Sequence, residues 1–229
     1  MLTEDKRQEL IKECEDLWSK VNRDGAEDML NYLKSSDFYT APASTRYHGA
    51  YCGGLLEHSM NVYHLLELKI GPSAIQTWPS PDRAVILPEE SIIIASILHD
   101  LCKVNFYSVE QKNQKTYDPE KIAAAEKWQI KHDNKGDYVW ESVDYFSIDD
   151  HDEPQMDFLG HGEKSAIKAS RKMRLTFTEW LMIRWHMGYT TEYSKDAWDQ
   201  YSKAIKKYPA VLAIFEADME ATHILEKED

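Results

Sequence analysis

The sequence predicts a mainly α protein with one small β element. Three observations predict it. Apolar residues recur at three- and four-residue spacing along most of the chain, with Thr or Ser standing where helix caps belong. The stretches between those runs collect Pro, Gly, Ser and Thr. The segment Tyr138–Phe146 has the β-branched and aromatic chemistry of a strand.

Taken in order, residues from about Thr3 to Lys20 read as a helix capped by Thr3, with Leu10, Ile11, Cys14, Leu17 and Trp18 on one face. A shorter helix runs from Gly25 to Lys34, with Met29, Leu30 and Leu33 inward. Ser35 to Ala50 is a loop carrying Pro42 and the cluster Arg46-Tyr47-His48-Gly49. Gly53-Gly54 opens an amphipathic helix over Leu55–Leu68 that contains His58, and Gly71–Pro88, with four prolines, is a loop. Glu89–Val104 reads as a helix apolar nearly all round, the mark of a central helix, and it carries His99-Asp100 towards its end. In the Asn105–Phe158 stretch the strand Tyr138–Phe146 is expected to pair with Val104–Gln111 as a hairpin, with a short helix over Pro119–Trp128 between them and an acidic loop at Asp149–Glu153. Helices resume at Gly162–Met173, Phe177–His186, around Lys195–Lys207 and at Pro209–Leu225, with Thr176 and Ser194 as caps and Pro209 in a first turn.

The 229 residues suit one domain with insertions, long enough to bury a sizeable core, and the apolar share of 42% is that of a globular protein. The net charge of −13, from 27 basic and 40 acidic residues, disfavours duplex DNA or long RNA as the main partner, because phosphate backbones are bound by clustered Lys and Arg. A small phosphorylated partner remains compatible, since bound divalent cations reverse the field locally. Three widely spaced cysteines, Cys14, Cys52 and Cys102, fit a reducing compartment without a disulfide framework. The first residues are charged and no stretch approaches bilayer-spanning length, so the expectation is a soluble cytoplasmic protein with no membrane partner.

The polar residues that interrupt the apolar helices are His58, His99, Asp100, His161, His186 and Asp218. Imidazoles and carboxylates together suit divalent Mn, Fe, Co, Ni or Zn. On a helix His99 and Asp100 point about 100° apart and approach one ion from neighbouring directions. Lys103, at i+4 from His99 and i+3 from Asp100, shares their face and suits a phosphate oxygen. Gly160 and Gly162 around His161 allow close backbone approach and free amides at a helix start.

This order resembles the HD-domain superfamily of metal-dependent phosphohydrolases. The matching residues are His58 in Gly53-Gly54-Leu55-Leu56-Glu57-His58-Ser59, then His99-Asp100 with Lys103, then Asp218 in Phe215-Glu216-Ala217-Asp218. Gly160–Ser165 and Ile183–Gly188 are similar to segments of bacterial and phage HD proteins. The resemblance spans about Tyr47 to Thr222. It implies an HD-type helical bundle over 1–229, with 1–45 as an N-terminal helical extension and 105–158 as an insertion. It also implies two divalent ions: His58, His99 and Asp218 would hold the first, His161 and His186 the second, and Asp100 would bridge them. Several two-metal members have a His-His pair where this chain has His186-Met187. The implied activity is hydrolysis of a phosphomonoester or phosphodiester, on a nucleotide or short oligonucleotide, by a metal-activated water. Lys103 would steady the phosphoryl oxygens and His48 would give the leaving oxygen its proton.

Plainer readings stand beside these. His99-Asp100 alone is also an ordinary N–H to carboxylate pair in a core. Lys103 is also a lysine at a helix C-terminus; His48 is also a plain loop residue and Cys102 a small apolar filler. Tyr107, Trp128, Trp140 and Tyr145 read as packing, or more sharply as a base-stacking surface. The rival functions are a 3′-end exoribonuclease, suggested by Gly-Gly-Leu-Leu-Glu-His-Ser, and a non-catalytic nucleotide- or metal-binding module.

Overall fold

The computed structural model describes residues 2–149, 156, 158–189 and 194–227. Its contacts divide the chain into two compact units, Met1–Tyr107 with Asp150–Asp229, and Ser108–Asp149. The protein is mainly helical, with one small sheet. Among the described residues, no helix is long and apolar enough to cross a membrane.

The first unit is built of helices. α1 (Glu4–Trp18) starts at Thr3, whose Oγ1 accepts the Lys6 N–H at 3.3 Å, and it buries Leu10, Cys14, Leu17 and Trp18. α2 (Ala26–Ser35) buries Met29 and Leu33. α3 (Gly54–Ile70) packs against α4 (Glu89–Leu98), in which every residue from Ser91 to Leu98 is buried. α6 (His161–Lys172) lies against α7 (Phe177–Trp185), α7 against α4 and α9 (Ala210–Glu220), and α9 against α3 and α8 (Lys195–Lys207). Thr176 and Glu179 form a capping box at the start of α7, and Ser194 caps α8. Each fully buried Leu or Ile at this junction, such as Leu55, Ile93 or Ile97, contributes about 1.5–3 kcal/mol.

One boundary corrects the expectation. The helix expected to run to Val104 ends at Leu98, and Leu101–Lys103 forms a separate tight turn. The apolar pattern continues through the break, so periodicity does not mark it. The cause is tertiary: the Cys102 N–H goes to Ser165 Oγ on α6 at 3.0 Å instead of continuing the helix ladder. His99 and Asp100 therefore stand at the end of α4 rather than within it.

The second unit is a three-stranded sheet in the order β1 (Tyr107–Thr116), β3 (Gly136–Ile148), β2 (Lys131–Asp133). β2 and β3 pair antiparallel, Lys131 opposite Tyr138 and Asp133 opposite Gly136. The expected neighbours 104–111 and 138–146 are adjacent, and β2 is an addition the sequence reading lacked. α5 (Pro119–Ala124), capped by Asp118, stops short of Trp128 because Glu126 and Gln129 close a turn of their own. Trp128 and Trp140 are 74% and 54% exposed, so they are not the packing residues expected. Of the expected acidic loop, residues 150–153 lie outside the described residues.

Candidate metal centre

Five elements deliver imidazoles and carboxylates to one buried point. His58 comes from the second turn of α3 and Asp218 from the last turn of α9. His99 and His186 occupy equivalent places, each the residue that ends its helix, α4 and α7. His161 opens α6, one residue earlier than expected. Two close backbone approaches hold these elements together. A Cβ on Gly162 would lie 2.3 Å from the Arg184 carbonyl oxygen, so this glycine serves the contact between α6 and α7 rather than an open backbone for phosphate. A Cβ on Gly54 would lie 2.0 Å from the Gly49 carbonyl oxygen, which keeps the 46–49 loop against the start of α3 and brings His48 beside His58, ring centres 5.0 Å apart.

Asp100 lies at the middle, and its two carboxylate oxygens face different partners. Oδ2 is 3.3 Å from His99 Nε2, 3.7 Å from His58 Nε2 and 2.6 Å from Lys103 Nζ. Oδ1 is 2.5 Å from His161 Nε2 and 3.4 Å from His186 Nε2. His58 Nε2 is also 3.0 Å from Asp218 Oδ1 and 3.1 Å from His99 Nε2. All six residues singled out in the sequence, with Lys103, are thus in one cluster, and His58, His99, Asp100 and His186 are almost wholly buried.

The outer nitrogens show which way the rings are wired. His99 Nδ1 lies 2.7 Å from the Ser96 carbonyl oxygen and His186 Nδ1 2.7 Å from that of Ile183. Each must carry its proton there, because a carbonyl only accepts. Their Nε2 atoms are then bare lone pairs turned inward. His58 Nδ1 likewise donates to the Glu226 carboxylate, at 3.0 and 3.1 Å. An inward ring nitrogen backed by an outward N–H to a carbonyl or carboxylate is the wiring of metal-ligating histidines. His186 Nε2, buried, has no hydrogen-bond partner among the described residues.

Charge points the same way. With neutral imidazoles, the carboxylates of Asp100, Asp218 and Glu226 against the single ammonium of Lys103 leave two negative charges in a buried site. The C-terminal ends of α4 and α7 add partial negative charge. Something positive has to fill the deficit. Burial disfavours the imidazolium of His58, yet its bonds to Asp218 and Glu226 hold its pKa up to about 9. Burial also opposes the charged form of His161, but Cys102 and Asp100 raise its pKa to about 10. Burial raises the Asp100 carboxyl, and the stronger pull of Lys103, His99 and His161 sets it well below the usual range. Protons on His58 and His161 supply that charge, and a divalent cation could supply it instead. The spacings fit one too. Two ligand atoms bonded at about 2.1 Å to one ion lie roughly 3.0–3.4 Å apart for octahedral to tetrahedral angles, the range of the His58–His99, His58–Asp218 and His99–Asp100 separations. The groups His58/His99/Asp100 and Asp100/Cys102/His161 could each hold a metal ion.

Three contributors were missed. Glu226 follows a π-turn over Ala221–Leu225, closed by the Glu226 N–H to the Ala221 carbonyl at 3.0 Å; besides His58 it accepts from Asn61 Nδ2 at 2.8 Å. In sequence it belongs to a charged run with no inward signal. Cys102 Sγ, expected as filler, accepts from His161 Nδ1 at 3.2 Å and so orients that ring. Asn61, at i+3 from His58, was the one with a readable signal. His48 borders the cluster from the open side. Burial, then His58 and Lys103, lower its pKa to about 4, so it is a neutral imidazole at pH 7.

No family model, curated protein or solved structure matches this chain.

Proposed function

We propose that the protein is a metal-dependent phosphohydrolase of the HD-domain type, acting on a phosphomonoester or phosphodiester of a nucleotide or short oligonucleotide. The observation that carries this reading is the division of the Asp100 carboxylate: one oxygen towards His58 and His99, with Asp218 alongside, the other towards His161 and His186. These residues would suit as donors for two divalent ions, with Mn, Fe, Co, Ni or Zn favoured by ligand type. Bound divalent ions supply a water of lowered pKa and positive charge for the phosphoryl oxygens.

The charge balance favours a phosphate ester as the thing bound. Two divalent ions over a site with two negative charges leave two positive ones, which a phosphate dianion matches. Lys103, buried against Asp100, adds a fixed ammonium that phosphoryl oxygens can meet without reorganisation. His48 is the imidazole on the open side. An arriving dianion raises the pKa of a neighbouring imidazole, which is the change His48 needs in order to give a proton to a leaving oxygen. Glu226 and Cys102 touch no substrate in this reading; they hold His58 and His161 in orientation. The acidic balance of the whole chain favours a small nucleotide over a long strand.

The test is hydrolysis of a phosphate-ester panel with added manganese, beside Asp100→Ala and Asp100→Asn, the latter keeping a partner for Lys103. The panel holds nucleoside mono-, di- and triphosphates, cyclic mono- and dinucleotides and short RNA. Expected is turnover that falls on the order of a thousandfold in both variants, with manganese content reduced. A folded, manganese-loaded protein that turns over none of these esters overturns the reading in favour of a binding module.

A further inference from the structure

Beside the cluster lies a cavity of about 480 Å3 lined by Arg46, Tyr47, His48, Thr222, His223, Glu226 and Lys227, a volume in the range of small-molecule sites. It is contiguous with the centre, because His48, His58 and Glu226 bring ligand atoms within 4.8 Å of one another. Its inner wall is therefore already committed. Glu226 is turned onto His58 and Asn61, with its side chain only 4% exposed.

The outer rim is different. Arg46 and Lys227 are both exposed and neither has a carboxylate partner among the described residues. Some other surface cations are taken up by carboxylates: Lys20 by Glu89, Lys34 by Glu15, Lys69 by Glu220. Tyr47, next to Arg46 in the chain and lining the same cavity, is 76% exposed and in no ring contact among the described residues. An arginine and a lysine of fixed charge recognise a phosphate. A free aromatic face recognises a planar base.

We infer that this cavity is a second anion subsite, in which Arg46 and Lys227 hold a phosphate other than the one being hydrolysed while the base stacks on Tyr47. The substrate is then a nucleotide unit with two phosphate groups, and a nucleoside monophosphate is a poor version of it. This rests on the phosphohydrolase reading for the assignment of the reacting phosphate. The anion subsite itself is read by binding alone.

The probes are adenosine monophosphate and adenosine 3′,5′-bisphosphate, titrated by calorimetry into the full chain loaded with manganese. The parent protein is expected to bind the bisphosphate about tenfold more tightly, the worth of one charge-assisted contact pair. Arg46→Ala with Lys227→Ala removes that preference while manganese content stays at the parent level. Tyr47→Ala weakens bisphosphate binding and leaves inorganic pyrophosphate binding alone. Lys12→Ala, an exposed lysine on α1, keeps the preference. Equal binding of the two nucleotides by the parent protein, or a preference that survives in the double variant, overturns the subsite. A preference for the bisphosphate in a protein that hydrolyses nothing upholds the subsite and sinks the phosphohydrolase reading. Turnover without the preference does the reverse.

Discussion

The helices α4 and α7 each carry polar groups into the core at both ends, and the two ends are finished in opposite ways. At their N-terminal ends the network is closed. Glu179 Oε2 accepts from Arg23 Nη1 at 2.5 Å and from the Thr176 N–H at 2.7 Å, and its Oε1 from Ser91 Oγ at 2.6 Å. Glu90 takes the other Arg23 nitrogen at 2.6 Å and the Asn22 N–H at 2.8 Å. Acceptors there meet donors, and the carboxylates sit at the positive ends of the helix dipoles. At the C-terminal ends His99 and His186 turn bare nitrogens towards a carboxylate. Burial of a polar group is common to both ends; what distinguishes them is that one network is satisfied and the other leaves His186 Nε2 without a hydrogen-bond partner among the described residues. The first is structural, and the second is where chemistry is to be sought.

The comparison can be broken at either end. The largest expected effect is on stability at the closed end. Glu179→Ala leaves Arg23 Nη1, Ser91 Oγ and the Thr176 N–H without their acceptor and should cost about 3–5 kcal/mol, read by urea unfolding. Any manganese bound by the surviving folded fraction should be unchanged per folded chain. Next comes Glu226→Gln, which weakens the orientation of His58 and should lower metal affinity about 10–100-fold by competition with a chelating dye; unchanged affinity would remove Glu226 from the centre. Smaller still is His186→Phe. It removes the unpartnered Nε2 together with the Nδ1–H bond to the Ile183 carbonyl, so stability in chelator should fall by no more than about 1–2 kcal/mol, while metal content falls. A loss as large as that of Glu179→Ala would make His186 a structural residue.

The smallest effect is a pH dependence at the closed end. Hydrogen bonding from Arg23 outweighs burial and lowers the Glu90 carboxyl below its usual pKa. A depressed folded-state pKa gives stability that is present above the unfolded value, about 4.3, and is lost as pH falls through the folded one. Glu90 is 28% exposed, so the contribution should be under about 1 kcal/mol. The urea midpoint of Glu90→Gln should fall less than that of the parent between pH 6 and pH 3; equal falls would refute the assignment.

Much of the helical framework was legible because caps and periodicity are local properties: Thr3, Thr176 and Ser194 all cap where they stand. The six ligand candidates were legible because each is a polar interruption in an apolar run, and burial of such a group needs a reason. The end of α4 was not legible, since Leu101 and Val104 continue the apolar pattern past the break, where the Cys102 N–H bonds to Ser165 Oγ, distant in sequence. Glu226 and the sulfur contact of Cys102 were hidden for the same reason: both depend on partners distant in sequence, His58 and His161.

The π-turn over Ala221–Leu225 makes this part of the chain intolerant of length changes. A π-turn is an α-helix with one residue more in the loop of its hydrogen bond, five instead of four. Inserting one residue into those five would turn position 226 by about 100°, off His58 and Asn61. Substitutions at the exposed positions Ile224 or Leu225 should pass almost unnoticed. The segment therefore encodes its role in how many residues it has, more than in which ones they are.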